Sequence, residues 1–215
     1  MSSKLPVGRG SKNAWRWALV GVIAMVALVV AVVPRTDDAG ESGRENGRVH
    51  STISQQSRAA AGLADCPPES APGAGPLAGL VLECLADGEP VDVAAVLAGK
   101  PALVNLWAHW CAPCARELPY LQQYARRAGN AITVLTVHSD PDGAKALSRL
   151  RGLQVTLPGL LDAEASVRTA VGAQAVLPLS VLLRSDGSVA EVVVRAFDSV
   201  EDIADTVAVE LGVTI

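Results

Sequence analysis

The sequence predicts an α/β domain with a mixed β-sheet, and three observations support this class. Two largely apolar runs, "PALVNLWA" (101–108) and "AITVLTVHS" (131–139), have the composition of strands that are buried on both faces of a sheet. A segment with helical character follows each run. Residues 179–196 hold two strand-like runs around Asp186–Gly187, which is a hairpin signal. Because short βαβ crossovers join parallel strands and a hairpin joins antiparallel ones, we expect a mixed sheet flanked by helices.

The first elements of the domain follow from about residue 77. Residues 77–100 predict a short strand, a turn at Asp87–Gly88 and a short helix. After the first buried run, the sequence predicts a helix over 112–128. Pro113 falls in its first turn, where the missing N–H costs little.

The second half of the domain alternates helices with short extended pieces. Residues 142–152 and 163–172 predict helices, with a short extended piece between them and Gly172 as a stop signal. After the hairpin, an amphipathic helix is expected over 199–212, and Ser199 is suited to be its N-cap.

The N-terminus combines positive charge with an uncharged apolar run. Four of the first 16 residues are basic, no acidic residue precedes Asp37, and residues 17–33 carry no charge. With the three residues before it, this run is about as long as a bilayer core is thick. We therefore predict a transmembrane anchor over 14–33 with residues 1–13 in the cytoplasm. A cleaved signal peptide is the alternative, although no small-x-small cleavage site follows Ala31.

The rest of the chain is expected outside the cytoplasm. Residues 34–65 are rich in glycine, serine and charged residues and are interpreted as a flexible tether, and residues 66–215 as the folded domain. Four cysteines, an even number, fit an oxidising compartment. The net charge of -4 argues against nucleic acid as a partner.

The motif that carries chemistry is "LWAHWCAPCARELP" (106–119), with Cys111 and Cys114 in a Cys-x-x-Cys arrangement. A disulfide this short closes almost no loop, so it is a poor structural staple. Structural zinc usually takes two such pairs, and only one is present. A redox pair is favoured for a physical reason, because Cys111 falls at a predicted helix start. There the N–H groups and the helix dipole stabilise a thiolate.

This motif, preceded by "VNLWAH" and followed by "RELP", resembles the thioredoxin superfamily. More narrowly, the chain is similar to the TlpA/ResA-type membrane-anchored thiol–disulfide oxidoreductases over roughly residues 77–213. The resemblance implies a thioredoxin fold with an extra helix and strand inserted between residues 142 and 161.

The resemblance also implies roles for residues outside the motif. Pro178 matches the family's cis-proline, which faces the cysteine pair, and the backbone of Leu177 would bind an extended substrate chain. A trans proline at a strand start is the alternative. Glu117 matches an acid that exchanges a proton with the resolving cysteine, and an exposed acid without a role is the alternative. Asn105 stands where cytoplasmic thioredoxins carry a buried aspartate.

Four further residues have open roles. Trp110 either contacts substrate or packs. His109, as a cation, could lower the pKa of a thiol, or is simply exposed. Cys66 and Cys84 are predicted to form a structural disulfide worth about 3 kcal/mol in the chain-entropy model. A second redox pair and two free thiols are the alternatives.

The sequence thus predicts a membrane-tethered thiol–disulfide oxidoreductase that needs neither a cofactor nor a metal ion. It would reduce disulfides of exported proteins, with apocytochrome c as the substrate that the resemblance suggests, and a membrane electron donor would restore it. An oxidase with the reverse electron flow is the first alternative. A Cu(I) carrier that uses His138 as a third ligand is the second.

Overall fold

The computed structural model describes residues 53–215. The predicted anchor over 14–33 and most of the predicted tether lie outside these residues. Within the described part, no helix is both long enough and apolar enough to cross a bilayer.

The described chain contains seven strands in one sheet. They are β1 (Val81–Cys84), β2 (Pro90–Asp92), β3 (Ala102–Trp107), β4 (Thr133–His138), β5 (Gly159–Leu161), β6 (Leu179–Leu183) and β7 (Val189–Val193). Their spatial order is β2-β1-β5-β4-β3-β6-β7. β3, β4 and β5 are parallel, and the other neighbours pair antiparallel. The prediction of a mixed sheet is confirmed.

Helices cover both faces of this sheet. They are α1 (Gln55–Ala61), α2 (Val93–Leu97), α3 (Ala112–Ala128), α4 (Gly143–Gly152), α5 (Ser166–Ala170) and α6 (Val200–Leu211), with a 3₁₀ turn at Gly129–Ala131. The buried side chains of α3, α4 and α6 form one apolar core, and those of α2 and α5 join a second one across the sheet. The predicted helix over 112–128 has the predicted bounds, and Ser199 caps α6 by accepting a hydrogen bond from the backbone N–H of Asp202.

The alternation of side chains along β3 decides which residues face the helix that follows it. All six residues of β3 are buried. Leu103 and Trp107 belong to the core under α3, whereas Val104 and Leu106 belong to the opposite one. Because successive side chains point to opposite faces, Asn105 lies on the α3 face.

The structure differs from the sequence interpretation in the last part of the predicted tether. Residues 55–61 form α1, which is held by Arg58, a guanidinium that is only 8% exposed. Its Nη1 donates to the carbonyl oxygens of Cys84 at 3.0 Å and Leu85 at 2.8 Å, and its Nη2 pairs with Glu83. These long-range contacts offset the weak intrinsic stability of a helix of seven residues.

The point where the chain enters the described domain is fixed by α4. The side chain of Ile53 lies so close to Gly143, the first residue of α4, that a Cβ there would overlap it. Further along α1, residues 56, 57 and 60 line a groove together with residues 144, 147, 148 and 151 of α4. The two helices therefore run in roughly the same direction, and α1 begins beside the start of α4.

The segment that leads into β1 is secured at two places. Cys66 is joined to Cys84 by a disulfide, with their Cα atoms 6.2 Å apart. The backbone at Gly75 approaches Gly187, in the hairpin turn between β6 and β7, so closely that a Cβ on Gly75 would overlap the Gly187 carbonyl oxygen. Gly75 has φ +80°, so glycine is required there for conformation as well as for space.

Candidate active site

Cys111 and Cys114 form a disulfide at the N-terminus of α3. Cys111 is the N-cap residue, and its Sγ accepts a hydrogen bond from the backbone N–H of Cys114 at 3.3 Å. Cys111 is 4% exposed and Cys114 is fully buried. After reduction, the same N–H and the helix dipole would stabilise a thiolate on Cys111.

A buried polar cluster lies one helical turn into α3. Glu117 is fully buried, and its Oε1 accepts a hydrogen bond from Asn105 Nδ2 at 2.8 Å. Its Oε2 accepts the backbone N–H of Phe197 at 2.9 Å. Asn105 Nδ2 also donates to Ser180 Oγ at 3.0 Å. The carboxyl group of Glu117 thus has two donors and is linked to both β3 and β6.

Burial raises the pKa of Glu117 from 4.5 to about 7. The hydrogen bonds from Phe197 and Asn105 and the charge of Arg195 favour the carboxylate and lower the pKa, but they offset only part of this rise. A carboxyl group with this pKa can take up and release a proton near neutral pH.

The loop before β6 meets the end of β3 at the same edge of the sheet. Leu179 pairs with Leu106, so Leu177 and Pro178 lie just beyond the last paired residues of β3. The Leu177–Pro178 peptide bond is cis. Pro178 therefore has the isomer that the resemblance implied, at the edge from which the Cys111 loop also leaves.

Trp110, directly before the pair, is a large apolar residue that is 60% exposed. Its Nε1 donates to Asp140 Oδ2 at 2.9 Å, which ties the loop after β3 to the loop after β4. Trp107, in contrast, is fully buried in the core and contacts the ring of His138 edge-on.

His109, His138 and Asp140 meet behind this tryptophan. His138 is fully buried, and its Nε2 accepts the backbone N–H of His109 at 3.2 Å. His109 Nδ1 lies 3.4 Å from that same nitrogen and 3.7 Å from Asp140 Oδ1. Burial lowers the pKa of His138 from 6.5 to about 4, so this imidazole is neutral at neutral pH.

The structure thus places the predicted site residues at one edge of the sheet. Cys111, Cys114 and Glu117 lie on the first turns of α3, and the loops with Trp110 and Leu177–Pro178 end beside them. Cys66 and Cys84 lie elsewhere, Cys66 in the segment that leads into β1 and Cys84 at the end of β1.

Sequence reasoning misses two partners of these residues. Asp140 belongs to no motif in the sequence, although it follows β4 directly and β4 is parallel to β3. The carboxyl ends of neighbouring parallel strands meet at one edge, and that rule could have identified it. Ser180, the partner of Asn105, carries no comparable signal.

Comparison with known proteins agrees with this geometry. The Redoxin family model matches residues 68–208, which is more than half of the chain. Thiol-disulfide oxidoreductase ResA of Bacillus subtilis (strain 168) is 29% identical over 98 residues, which cover 45% of this chain and 54% of that protein. Thioredoxin of Mycolicibacterium smegmatis is 40% identical over 50 residues, 23% of this chain and 45% of that protein. The chain thus spans about half the length of the curated relatives it matches.

Solved structures extend the likeness to most of the described domain. A secreted Mycobacterium tuberculosis disulfide oxidoreductase, homologous to E. coli DsbE, is 28% identical with a TM-score of 0.53. The match covers 60% of this chain and 95% of that one. MTB DsbF is 26% identical with a TM-score of 0.54, over 62% of this chain and 96% of that one. The predicted thioredoxin fold is confirmed, and the chain belongs to the Redoxin family, as a ResA/TlpA-type protein of the thioredoxin superfamily.

Proposed function

We propose that this protein is a thiol–disulfide oxidoreductase that reduces disulfides of exported proteins through Cys111 and Cys114. The observation that carries the proposal is the disulfide at the N-terminus of α3, in which Cys111 caps the helix and Cys114 is fully buried. The ResA relatives and the secreted disulfide oxidoreductase support the same chemistry.

The reaction begins with the reduced pair. The Cys111 thiolate attacks one sulfur of the partner's disulfide, and the partner's other sulfur leaves as a thiolate that takes up a proton. Cys114 then loses its proton and attacks Cys111 Sγ. This breaks the mixed disulfide, releases the partner's second thiol and forms the Cys111–Cys114 bond. Two electrons pass from the pair to the partner, which takes one proton from Cys114 and one from solvent, and a membrane dithiol donor must return the two electrons to the pair.

Glu117 is the group that can take the proton from Cys114. It stands three residues after Cys114 on α3, so the two share a helix face. Its pKa of about 7 suits exchange with a thiol near neutral pH. Trp110 and the backbone around Leu177–Pro178 lie at the same sheet edge as the pair and would receive the partner's extended chain.

The site of action in this proposal is outside the cytoplasm, on a membrane anchor over 14–33. The basic N-terminus and the uncharged run after it support this placement, as does the Cys66–Cys84 disulfide, which is typical of oxidising compartments. A reporter enzyme that is active only after export, fused after residue 60, should be active. Activity of a reporter that works only in the cytoplasm would contradict the placement.

Trapping of the mixed disulfide tests the direction of electron flow and the partner together. Cys114→Ser should accumulate a disulfide with the natural partner, because no second thiol resolves it, and Cys111→Ser is the matched control that should trap nothing. We expect a heme-attachment Cys-x-x-Cys-His protein, such as apocytochrome c, among the trapped partners.

The reduction potential of the pair completes this test. We expect a value nearer to about -270 mV, as in thioredoxin, than to about -120 mV, as in a strong oxidase. A reduction potential of about -120 mV, together with the trapping of many unrelated exported proteins, would contradict the reductase hypothesis and favour the oxidase. Equal trapping by both variants would contradict the roles of the two cysteines.

A further inference from the structure

We propose that His109, His138 and Asp140 form a binding site for one divalent transition-metal ion that prefers imidazole ligands, such as Zn²⁺ or Cu²⁺. This three-residue set is called the His–His–Asp cluster below. It lies beside the cysteine pair but includes neither sulfur, so it is distinct from a dithiol metal site.

The spacing of the ligand atoms carries the inference. A tetrahedral ion with metal–nitrogen distances of about 2.0–2.1 Å holds its ligand atoms about 3.4 Å apart. His109 Nδ1 lies 3.4 Å from His138 Nε2 and 3.7 Å from Asp140 Oδ1. All three ligand atoms lie within 4.8 Å of one another. Two of the separations are therefore close to those of a coordinated site, and a small movement of the partly exposed Asp140 side chain toward His138 would complete it, with a fourth position left for water.

The fold fixes the three residues before any ion arrives. Trp107 and His138 are register partners at the carboxyl ends of parallel β3 and β4, so the loops after the two strands start side by side. Trp110 Nε1 donates to Asp140 Oδ2 at 2.9 Å, and the backbone N–H of Asp142 donates to Asp140 Oδ1 at 2.8 Å. These bonds orient the carboxylate, and Oδ1 keeps a second lone pair for a metal ion.

The protonation pattern of His138 suits a ligand. Its Nε2 accepts the backbone N–H of His109, so that nitrogen is unprotonated and its lone pair faces the loop that holds His109. The proton then sits on Nδ1, which is buried without a hydrogen-bond partner in the described part of the chain. An ion would take the Nε2 lone pair in place of the 3.2 Å bond from the His109 N–H, and it would bind His109 in the tautomer that carries the ring proton on Nε2.

An ion can reach the cluster from solvent through its outer members. The side chains of His109 and Asp140 are 17% and 22% exposed. His109 also lines a groove that contains Lys145 and Arg149. Lys145 is paired with Asp142 at 2.8 Å and Arg149 Nε donates to the carbonyl oxygen of His109, so both cations are engaged next to the site.

Calorimetric titration of the full-length chain, without a histidine tag, with ZnCl₂ and CuCl₂ tests the proposal. The protein is kept oxidised, so that its cysteine sulfurs cannot bind the ion. We expect one ion per chain, and His109→Gln and Asp140→Asn should each weaken binding by about tenfold or more. Both side chains are partly exposed, so these variants should fold. His50→Ala, which removes the one histidine outside the described residues, is the matched control and should bind like the parent chain.

Electron paramagnetic resonance of the Cu²⁺ form provides an independent readout. The parent chain should show coupling to two imidazole nitrogens, and His109→Gln to one. Unchanged affinity in both cluster variants would overturn the proposal. So would binding that occurs only after reduction and disappears in Cys111→Ser, which would assign the ion to the cysteine thiolates.

Discussion

At Glu117, burial and hydrogen bonding shift the pKa of the carboxyl group in opposite directions. The donors on Asn105 and Phe197 favour the carboxylate, and the surrounding apolar core favours the acid. Burial has the larger effect, and the pKa rises to about 7. The folded protein therefore holds a proton on Glu117 at pH values where the unfolded chain has released it.

The first prediction follows from the sign of this shift. Between the unfolded pKa of 4.5 and the folded pKa of about 7, the native state binds more protons, so stability falls as pH rises. Glu117→Gln cannot ionise and escapes that loss. Its stability relative to the parent chain should therefore increase by roughly 3 kcal/mol between pH 4 and pH 8. Urea denaturation of both oxidised proteins at these pH values measures the difference.

Asn105 can adapt to this change. Its Oδ1 has no hydrogen-bond partner among the described residues. Rotation of the Asn105 amide would present that oxygen to the side-chain amide introduced at position 117 and to the Ser180 hydroxyl. Curves for the two proteins that stay parallel from pH 4 to pH 8 would show that the carboxyl group of Glu117 does not titrate in this range.

The same substitution should alter catalysis near neutral pH. If Glu117 takes the proton of Cys114, then Glu117→Gln should slow disulfide exchange about 10²-fold or more, the typical contribution of a positioned base. The exchange rate of this variant should also no longer depend on a group that titrates near pH 7. Stopped-flow measurement of the pH–rate profile checks this, and an unaltered profile would return Glu117 to a purely structural role.

Among the elements, α1 is anchored to β1 by one buried side chain. Arg58 reaches from α1 to the carbonyl oxygens at the end of β1, and Gly88 leaves room for its guanidinium. A buried cation of this kind is stabilising only while its partners remain.

The prediction for this element concerns Arg58→Met, which keeps the apolar stem and removes the donors. We expect a loss of about 2 kcal/mol, because the carbonyl oxygen of Leu85 loses its charged donor in the buried layer. Arg127→Met is the matched control, because Arg127 is half exposed and pairs with Glu201 on the surface. It should cost less than about 1 kcal/mol. Urea denaturation gives both values, and equal losses would contradict the anchoring role of Arg58.

Elements with strong local signals are predictable from the sequence, and elements held by distant contacts are not. β3, α3 and α6 have continuous burial, a proline in the first turn or a serine cap, all of which are local. The sequence interpretation assigns α1 to the tether because its composition is polar and its anchor, β1, is more than 20 residues away. β2 has only three residues and begins with a proline, so the sequence gives little indication of its pairing with β1.

The candidate site is predictable to the extent that it lies on one helix start. The cysteine pair and Glu117 share α3, so their proximity follows from helical spacing. The His–His–Asp cluster joins two loops that are about 30 residues apart, and its distances depend on the register of β3 against β4. No short sequence pattern predicts the register of β3 against β4.

At the scale of the whole molecule, the two disulfides close loops of very different length. Cys66–Cys84 spans 18 residues and ties the lead-in to the sheet, whereas Cys111–Cys114 spans three. A disulfide that closes a loop as long as that of Cys66–Cys84 contributes about 3 kcal/mol to stability, because it restricts the unfolded chain.

The corresponding prediction is that the double variant Cys66→Ser, Cys84→Ser loses about 3 kcal/mol of stability and keeps its exchange activity. In the parent chain, mild reduction should open Cys111–Cys114 first, because structural disulfides resist reduction. Denaturation in urea and peptide mapping without reductant measure the two effects. Peptides that join residue 66 or 84 to residue 111 or 114 would contradict the pairing.

The position of Ile53 beside Gly143 has a consequence for the encounter with partners. Gly143 follows Asp140 by three residues, so the chain enters the domain near the sheet edge that carries Trp110 and the cysteine pair. The residues that precede Ile53 are therefore attached at this edge rather than at the opposite end of the domain. A reductant or substrate held by the same attachment would meet the cysteines at a high effective concentration, and a weak affinity would then suffice for turnover.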